Sequence, residues 1–190
     1  MPPKVIYDKK SILNTALKIL RKKGEEALTT RNIAKEQGCS THPIYSEFNS
    51  IKELKNDLYG VVNDYFIKFI TDNGKKISFL EVGVNYVVFA KTEKNLFSYL
   101  FLNKSFELNP DSINHVDENV INSIKNDEYV QKFSIINYNE IFFNLWVFTH
   151  GLATMTYNSN KPFDVDEIRK ILYKTGELIY RGIAMEEQTT

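Results

Sequence analysis

Apolar positions along the chain recur at intervals of three and four, the period that places side chains on one face of an α-helix. Ile12, Leu13, Ala16, Leu17 and Leu20 predict a first helix from about Lys9 to Lys23, stopped by Gly24. Lys18, Arg21, Lys22 and Lys23 fill its last turns, where positive charge suits the helix dipole. Ser50-Ile51-Lys52-Glu53 reads as a capping box opening a long helix. Its stripe runs through Leu54, Leu58, Val61, Val62, Tyr65, Phe66, Phe69 and Ile70, and Asn73-Gly74 ends it. Ser78-Phe79-Leu80-Glu81 is a second box, and the helix behind it reaches about Lys91 with Val82, Tyr86, Val87 and Ala90 inward. Leu96 to Leu102 forms a short aromatic-rich helix, and Asn109-Pro110 breaks the chain. A further helix from about Ser112 carries Ile113, Val116, Val120, Ile121 and Ile124; residues 127–136 suit a short helix with Tyr129, Val130 and Phe133 inward. Alternation in Leu96–Leu102 would also suit a strand, but no partner strands occur elsewhere, so the fold class is all-α.

Two helices close the chain. Tyr138 to Tyr157 is apolar on most sides, with Ile141, Phe142, Phe143, Leu145, Trp146, Val147, Phe148, Leu152, Ala153 and Met155. Such a helix needs cover on every face, which one small domain seldom supplies, so a second copy of the chain is the natural cover. Asp164 caps the last helix, Val165 to Met185, striped by Ile168, Ile171, Leu172, Thr175, Leu178, Ile179, Gly182 and Ile183. These two helices are expected to pair with their copies as a four-helix bundle in a homodimer.

Leu28 to Leu54 differs from the rest. Thr29 and Thr30 precede Ile33 and Ala34, a helix start, because a threonine hydroxyl accepts from the first unpaired N–H groups. Gly38 ends that helix, Ser40 is placed to cap a second, and Pro43 falls in its first turn, where a missing N–H does no harm. Ile44 and Phe48 face the core, leaving Thr41, His42, Tyr45 and Ser46 outside. A short helix with a hydroxyl-rich outer face, held at an angle by a preceding helix, has the geometry that enters a DNA major groove.

Charge supports that picture. The 190 residues carry no net charge, which alone argues against a nucleic-acid partner. Residues 1–55, however, hold 11 Lys+Arg against 6 Asp+Glu, a net of +5, and the remainder is −5. A basic head on an acidic body fits a protein that touches phosphate with one end. Lys4, Lys9 and Lys10 could reach phosphate or be solvated. Apolar residues at 43% and charged residues at 25% are ordinary for a globular chain. One Cys excludes an internal disulfide and a cysteine-based zinc site. No apolar run follows Met1-Pro2-Pro3-Lys4 and no window of about 18 residues lacks polar groups, so neither a secretion signal nor a membrane span is expected and the location is cytoplasmic.

The residues Thr29-Thr30-Arg31, Ile33-Ala34, Gly38-Cys39-Ser40, Ile44-Tyr45, Phe48 and Leu54 resemble the DNA-binding domain of the TetR/AcrR family of bacterial repressors. The resemblance implies a helix-turn-helix head at 1–55 and a helical regulatory and dimerisation domain at 56–190. It also implies a sequence-specific transcriptional regulator, a repressor, on a palindromic operator in double-stranded DNA, released by a small-molecule effector of unknown identity. Arg31 matches a position where some members contact a base; bidentate bonding to guanine would be the reason, and a phosphate contact is the alternative. Tyr45 matches a tyrosine that touches phosphate, with core packing as the alternative. Thr30, Ser40, Thr41, His42 and Ser46 are further candidate contacts that could equally be caps or solvated side chains. Pro43 could meet a thymine methyl or only start the helix. Cys39 stands where the family has a small hydrophobe. Where the family places a phosphate-contacting Lys, this chain has Ile51; Lys52, the available substitute, points about 100° away around the helix.

Trp146, His150 and Gly151 resemble a Trp…His-Gly signature of one branch of that family. In the body, Tyr86, Phe89, Phe97, Tyr99, Phe101 and Phe142 could line an effector pocket or form plain core. Asn144 could orient a ligand or sit at the dimer seam. Trp146 suits the core, and His150 suits a ligand bond or an internal partner. No metal spacing, phosphate loop or nucleophile motif accompanies His150, His115 or Cys39, so no catalytic residue, metal or cofactor is expected and the chain is not an enzyme. The alternative is a dimeric helical interaction module without specific DNA binding, which Ile51 favours.

Overall fold

A computed structural model describes residues 7–71, 78–102, 118–132 and 138–187. Among these residues the chain is helical and holds no strand. It divides into two compact units, Met1–Tyr65 with Glu93–Ser105, and Phe66–Thr92 with Phe106–Thr190.

The first unit begins with α1, Lys9–Lys23. Asp8, in extended conformation, accepts from the Ser11 N–H at 2.8 Å and so starts the helix. Gly24 stops it at φ +80°, a conformation that an L side chain resists, and its N–H closes on the Leu20 carbonyl. A 3₁₀ turn, Glu25–Ala27, leads to α2 (Thr30–Gln37), α3 (His42–Glu47) and α4 (Ile51–Ile70). The inner face of α1 (Ile12, Ala16, Ile19 and Leu20) is buried with Ile33, Ala34, Ile44 and Phe48, and α1 packs on both α2 and α3. Burial on this scale is what orders helices as short as α2 and α3, which are marginal alone. The four-residue α6, Lys94–Phe97, continues into a π turn, Ser98–Leu102, and also packs on α1.

Two local expectations differ. Ser40 does not cap α3: Thr41 occupies the N-cap in right-handed helical geometry, and no side chain caps that end. Pro43 lies in the first turn, so one of the N–H groups a cap would serve is absent. Phe48 lies just past α3 in extended conformation, yet is as buried as Ile44. The box at Ser50 is half reciprocal: Ser50 Oγ accepts from the Glu53 N–H at 3.1 Å, while the Glu53 carboxylate accepts from the backbone and side-chain amides of Asn49.

In the second unit α5 (Phe79–Thr92) packs on α9 (Tyr138–Asn158) and α10 (Val165–Glu187). Gly83 lets α10 come close, since a Cβ there would stand 3.3 Å from Leu172 Cδ1. Two short helices, α7 (Glu118–Lys125) and α8 (Glu128–Lys132), add Ile124 and Val130 to a cluster with Ile141, Leu145, Tyr180, Ile183 and Ala184. Asp164 and Glu167 form a complete capping box at α10, with bonds of 2.9 and 2.8 Å. The expected stop at Asn73-Gly74, the break at Asn109-Pro110, Phe133 and the helix start from Ser112 lie outside the described residues.

Each of the last two helices leaves an apolar stripe exposed. Val147, Phe148 and Met155 on α9 and Leu178 and Met185 on α10 are exposed, Met155, Leu178 and Met185 each by about 70%. Gly151 and Gly182 lie between them with open space in front.

Candidate nucleic-acid interface

The angle between α2 and α3 is set by a few backbone bonds. Thr29 Oγ1 accepts from the Asn32 N–H at 3.2 Å and opens α2. Gly38 sits in the left-handed region, φ +73° and ψ +31°, and its N–H bonds the Lys35 carbonyl while the Cys39 N–H bonds Ala34. That closure turns the chain at once into α3. Ile33, Ala34, Ile44 and Phe48 then pin both helices to the core.

What remains outside is polar. Arg31, Ser40, His42, Tyr45 and Ser46 are exposed; Thr30, Thr41 and Pro43 are half-buried. Tyr45 is 55% exposed, so its ring does not form core, and its hydroxyl lies 3.5 Å from Thr30 Oγ1. Ser46 Oγ donates to the His42 carbonyl at 3.1 Å. Lys52 is exposed on the first turn of α4, while Ile51 is half-buried. Cys39 is half-buried and has a free thiol.

Several head cations are engaged internally. Lys9 pairs with Asp57 at 2.6 Å and lies 5.2 Å from the centre of the Phe48 ring. The hydrogen bond to Asp57 raises the Lys9 pKa. Lys55 pairs with Glu25 at 3.1 Å, and Arg21 with Glu93. Lys9 therefore clamps α1 to α4. Neither Asp57 nor Glu93 could be named from the sequence, since nothing local marks a pair 48 or 72 residues apart.

Residues 12–58 match the family model described as bacterial regulatory proteins, tetR family. These residues are similar to the DNA-binding domain of that family. A solved structure, that of a candidate TetR-family transcriptional regulator from Rhodococcus sp., aligns with 90% of this chain and 98% of its own length. Its TM-score is 0.56 at 12% identity, a likeness of fold. Comparison with curated proteins gives no significant match. The match supports a DNA-binding transcriptional regulator in which α2 and α3 are the helix-turn-helix pair.

The expected effector residues fall into two groups. Phe97, Tyr99 and Phe101 belong to the first unit, where the Phe97 and Phe101 rings lie 5.2 Å apart, tilted at 50°, and the Tyr99 hydroxyl donates to the Lys55 carbonyl at 2.8 Å. Burial drives the Tyr99 pKa far up, so the phenol stays protonated. Tyr86, Phe89, Phe142, Asn144, Trp146 and His150 belong to the second unit. There His150 Nδ1 and the Tyr86 hydroxyl share a 2.9 Å hydrogen bond, and the His150 ring stacks on Trp146 at 5.6 Å. Burial lowers the His150 pKa and keeps the imidazole neutral near pH 7. Asn144 is exposed, and its amide donates to the Glu140 carbonyl within α9. Phe89 is fully buried against Phe66 and Phe69. Among the described residues no group of His, Cys, Asp and Glu could hold a metal ion. No described helix is long and apolar enough to cross a membrane.

Proposed function

We propose that this chain is a TetR-family protein that works in the cytoplasm as a homodimeric repressor, binding a palindromic operator and leaving it when a small molecule occupies the body. The head, residues 1–55, reads DNA; residues 56–190 hold the effector and the dimer seam. The observation that carries the reading is the Tyr45–Thr30 hydroxyl pair beside exposed Arg31, an outward polar face on a three-helix unit whose apolar side is buried. Arg31 reads a base edge, Tyr45 and Thr30 hold phosphate, and Ser40, Thr41, His42, Pro43 and Ser46 line the groove. Lys52 gives the phosphate contact that Ile51 does not.

The apolar stripes Phe148-Gly151-Met155 and Leu178-Gly182-Met185 support a seam between two copies. A patch of this size on a lone chain marks an interaction surface. Two-fold symmetry then offers two recognition helices to major grooves about 34–36 Å apart. The Tyr86–His150 bond supports an effector site: a neutral imidazole and a phenol suit a ligand with an aromatic or apolar body and one polar group. The effector must bind the DNA-incompetent arrangement more tightly, since equal affinity shifts nothing.

The test is selection of duplexes from a random pool, followed by mobility shifts across salt. Enrichment of one palindrome with a steep salt slope supports the reading. Ile51 favours a second reading, a dimeric interaction module, and retention of all duplexes equally would favour it over the first.

A further inference from the structure

Glu93 is the one carboxylate buried among the described residues, 7% exposed. Both its oxygens are engaged by the Arg21 guanidinium on α1, Nε at 2.7 Å and the second nitrogen on the other oxygen. The Tyr65 hydroxyl on α4 donates to Glu93 Oε1 at 3.2 Å, and the guanidinium lies 5.6 Å from the centre of the Tyr65 ring. Asn95 Nδ2 donates to the Arg21 carbonyl at 3.0 Å.

The positions of these residues along the chain give the cluster its meaning. The chain passes from the first unit to the second between Tyr65 and Phe66, back between Thr92 and Glu93, and over again between Ser105 and Phe106. Tyr65 and Glu93 are the first-unit residues at the first two of these crossings, and they are bonded to each other and to α1. Residues 93–102, a strap that follows α5 of the second unit, are thereby tied to α1 and α4 in the first unit. A π turn, Ser98–Leu102, directly follows the bonded segment; such turns recur at functional sites. Only the carboxylate of this pair is buried, the Arg21 side chain being 54% exposed, and desolvating a carboxylate offsets much of the attraction, so the pair is a poor device for stability alone. Its distinct property is that it holds in one geometry and costs much to half-break.

We propose that Arg21, Glu93 and Tyr65 form a coupling latch that makes the first two chain crossings move with α1, so that an effector signal from the body reaches the helix-turn-helix through it. This rests on the effector-released DNA-binding reading above. By linkage, DNA bound at the head must tighten the strap as much as the strap favours DNA binding.

Hydrogen exchange on the full-length protein, free and with a duplex selected from a random pool, tests this. In the wild type the duplex should raise protection of amides 94–102 by about threefold or more. In Glu93→Gln, which leaves the guanidinium without its charge partner, those amides should exchange roughly tenfold faster in the free protein, with α2 and α3 unchanged. The duplex should still bind but no longer protect the strap. Tyr65→Phe keeps the ion pair, and should accelerate exchange in the strap alone by about threefold. Unchanged strap exchange in both variants would overturn the latch, as would loss of protection spread evenly over both units in Tyr65→Phe. If no duplex is retained, the DNA reading fails, and exchange in the free protein still decides whether the latch holds the strap.

Discussion

The hydroxyl oxygens of Thr30 and Tyr45 stand 3.5 Å apart, one in the first turn of α2 and the other on the outer face of α3. Two hydroxyls at that separation can donate to one phosphate oxygen, giving the head a fixed register on the backbone. Tyr45→Phe and Thr30→Val should each weaken operator binding by about 1 kcal/mol, close to the net worth of one hydrogen bond. The loss should be similar for cognate and scrambled duplexes, because phosphate carries no sequence. The double variant should lose less than the sum if both hydroxyls serve the same oxygen. Fluorescence anisotropy with both duplexes measures this, and additive losses would place the hydroxyls on separate phosphates.

Arg31 is exposed beside that pair. Arg31→Ala should cost about 1–3 kcal/mol on the cognate operator and relax preference at one base pair per half-site. Combined with Tyr45→Ala it should abolish detectable operator binding. Both side chains lie outside the core, so thermal melting and dimer mass should stay nearly constant. A variant that melts normally and binds normally would refute the contact assignment.

The helix-turn-helix was legible because its signals are local. Thr29 caps within three residues, Gly38 supplies its own backbone conformation, and the spacing of Ile44 and Phe48 declares a buried face. The cap of α3 was misplaced by one residue, from Ser40 to Thr41, since two adjacent hydroxyl residues give the same pattern. The strap was not legible. Its apolar residues read as body core, and only the fold brings Glu93 to Arg21 and Tyr99 to the Lys55 carbonyl. For the same reason the aromatic set divides: Phe97, Tyr99 and Phe101 lie in the first unit, Tyr86, Phe89 and Phe142 in the second. Periodicity says that an aromatic is buried, not which core it enters.

Leu178 is 72% exposed on α10, in line with Gly182 and Met185. A glutamate there would meet no conflict within the single chain, but would be desolvated at a seam between copies. Leu178→Glu should therefore split the dimer and weaken operator binding at least tenfold, while far-UV circular dichroism stays that of the wild type. Gly182→Leu tests close approach of the helices separately, because its side chain has open space in the monomer. Light scattering reads both outcomes, and a Leu178→Glu protein still dimeric at micromolar concentration would move the seam elsewhere.

His150 gives the body a pH response whose sign follows from burial. Its pKa is lowered from the ordinary 6.5, so the folded state resists protonation while the unfolded chain does not. Stability from this group is complete above pH 6.5 and is lost as pH falls from there through the folded-state value, with a slope of at most about 1.4 kcal/mol per pH unit. Protonation would also leave Nδ1 able only to donate, restricting its bond with Tyr86 to one direction. His150→Gln keeps a polar group of similar reach and removes the titration. Urea unfolding at pH 7.5, 6.5 and 5.5 should show the wild type losing more stability than His150→Gln over the lower interval, and little difference over the upper one. Parallel pH dependence in the two proteins would mean that the imidazole is solvated in the folded chain, and would remove it as the polar anchor of an effector site.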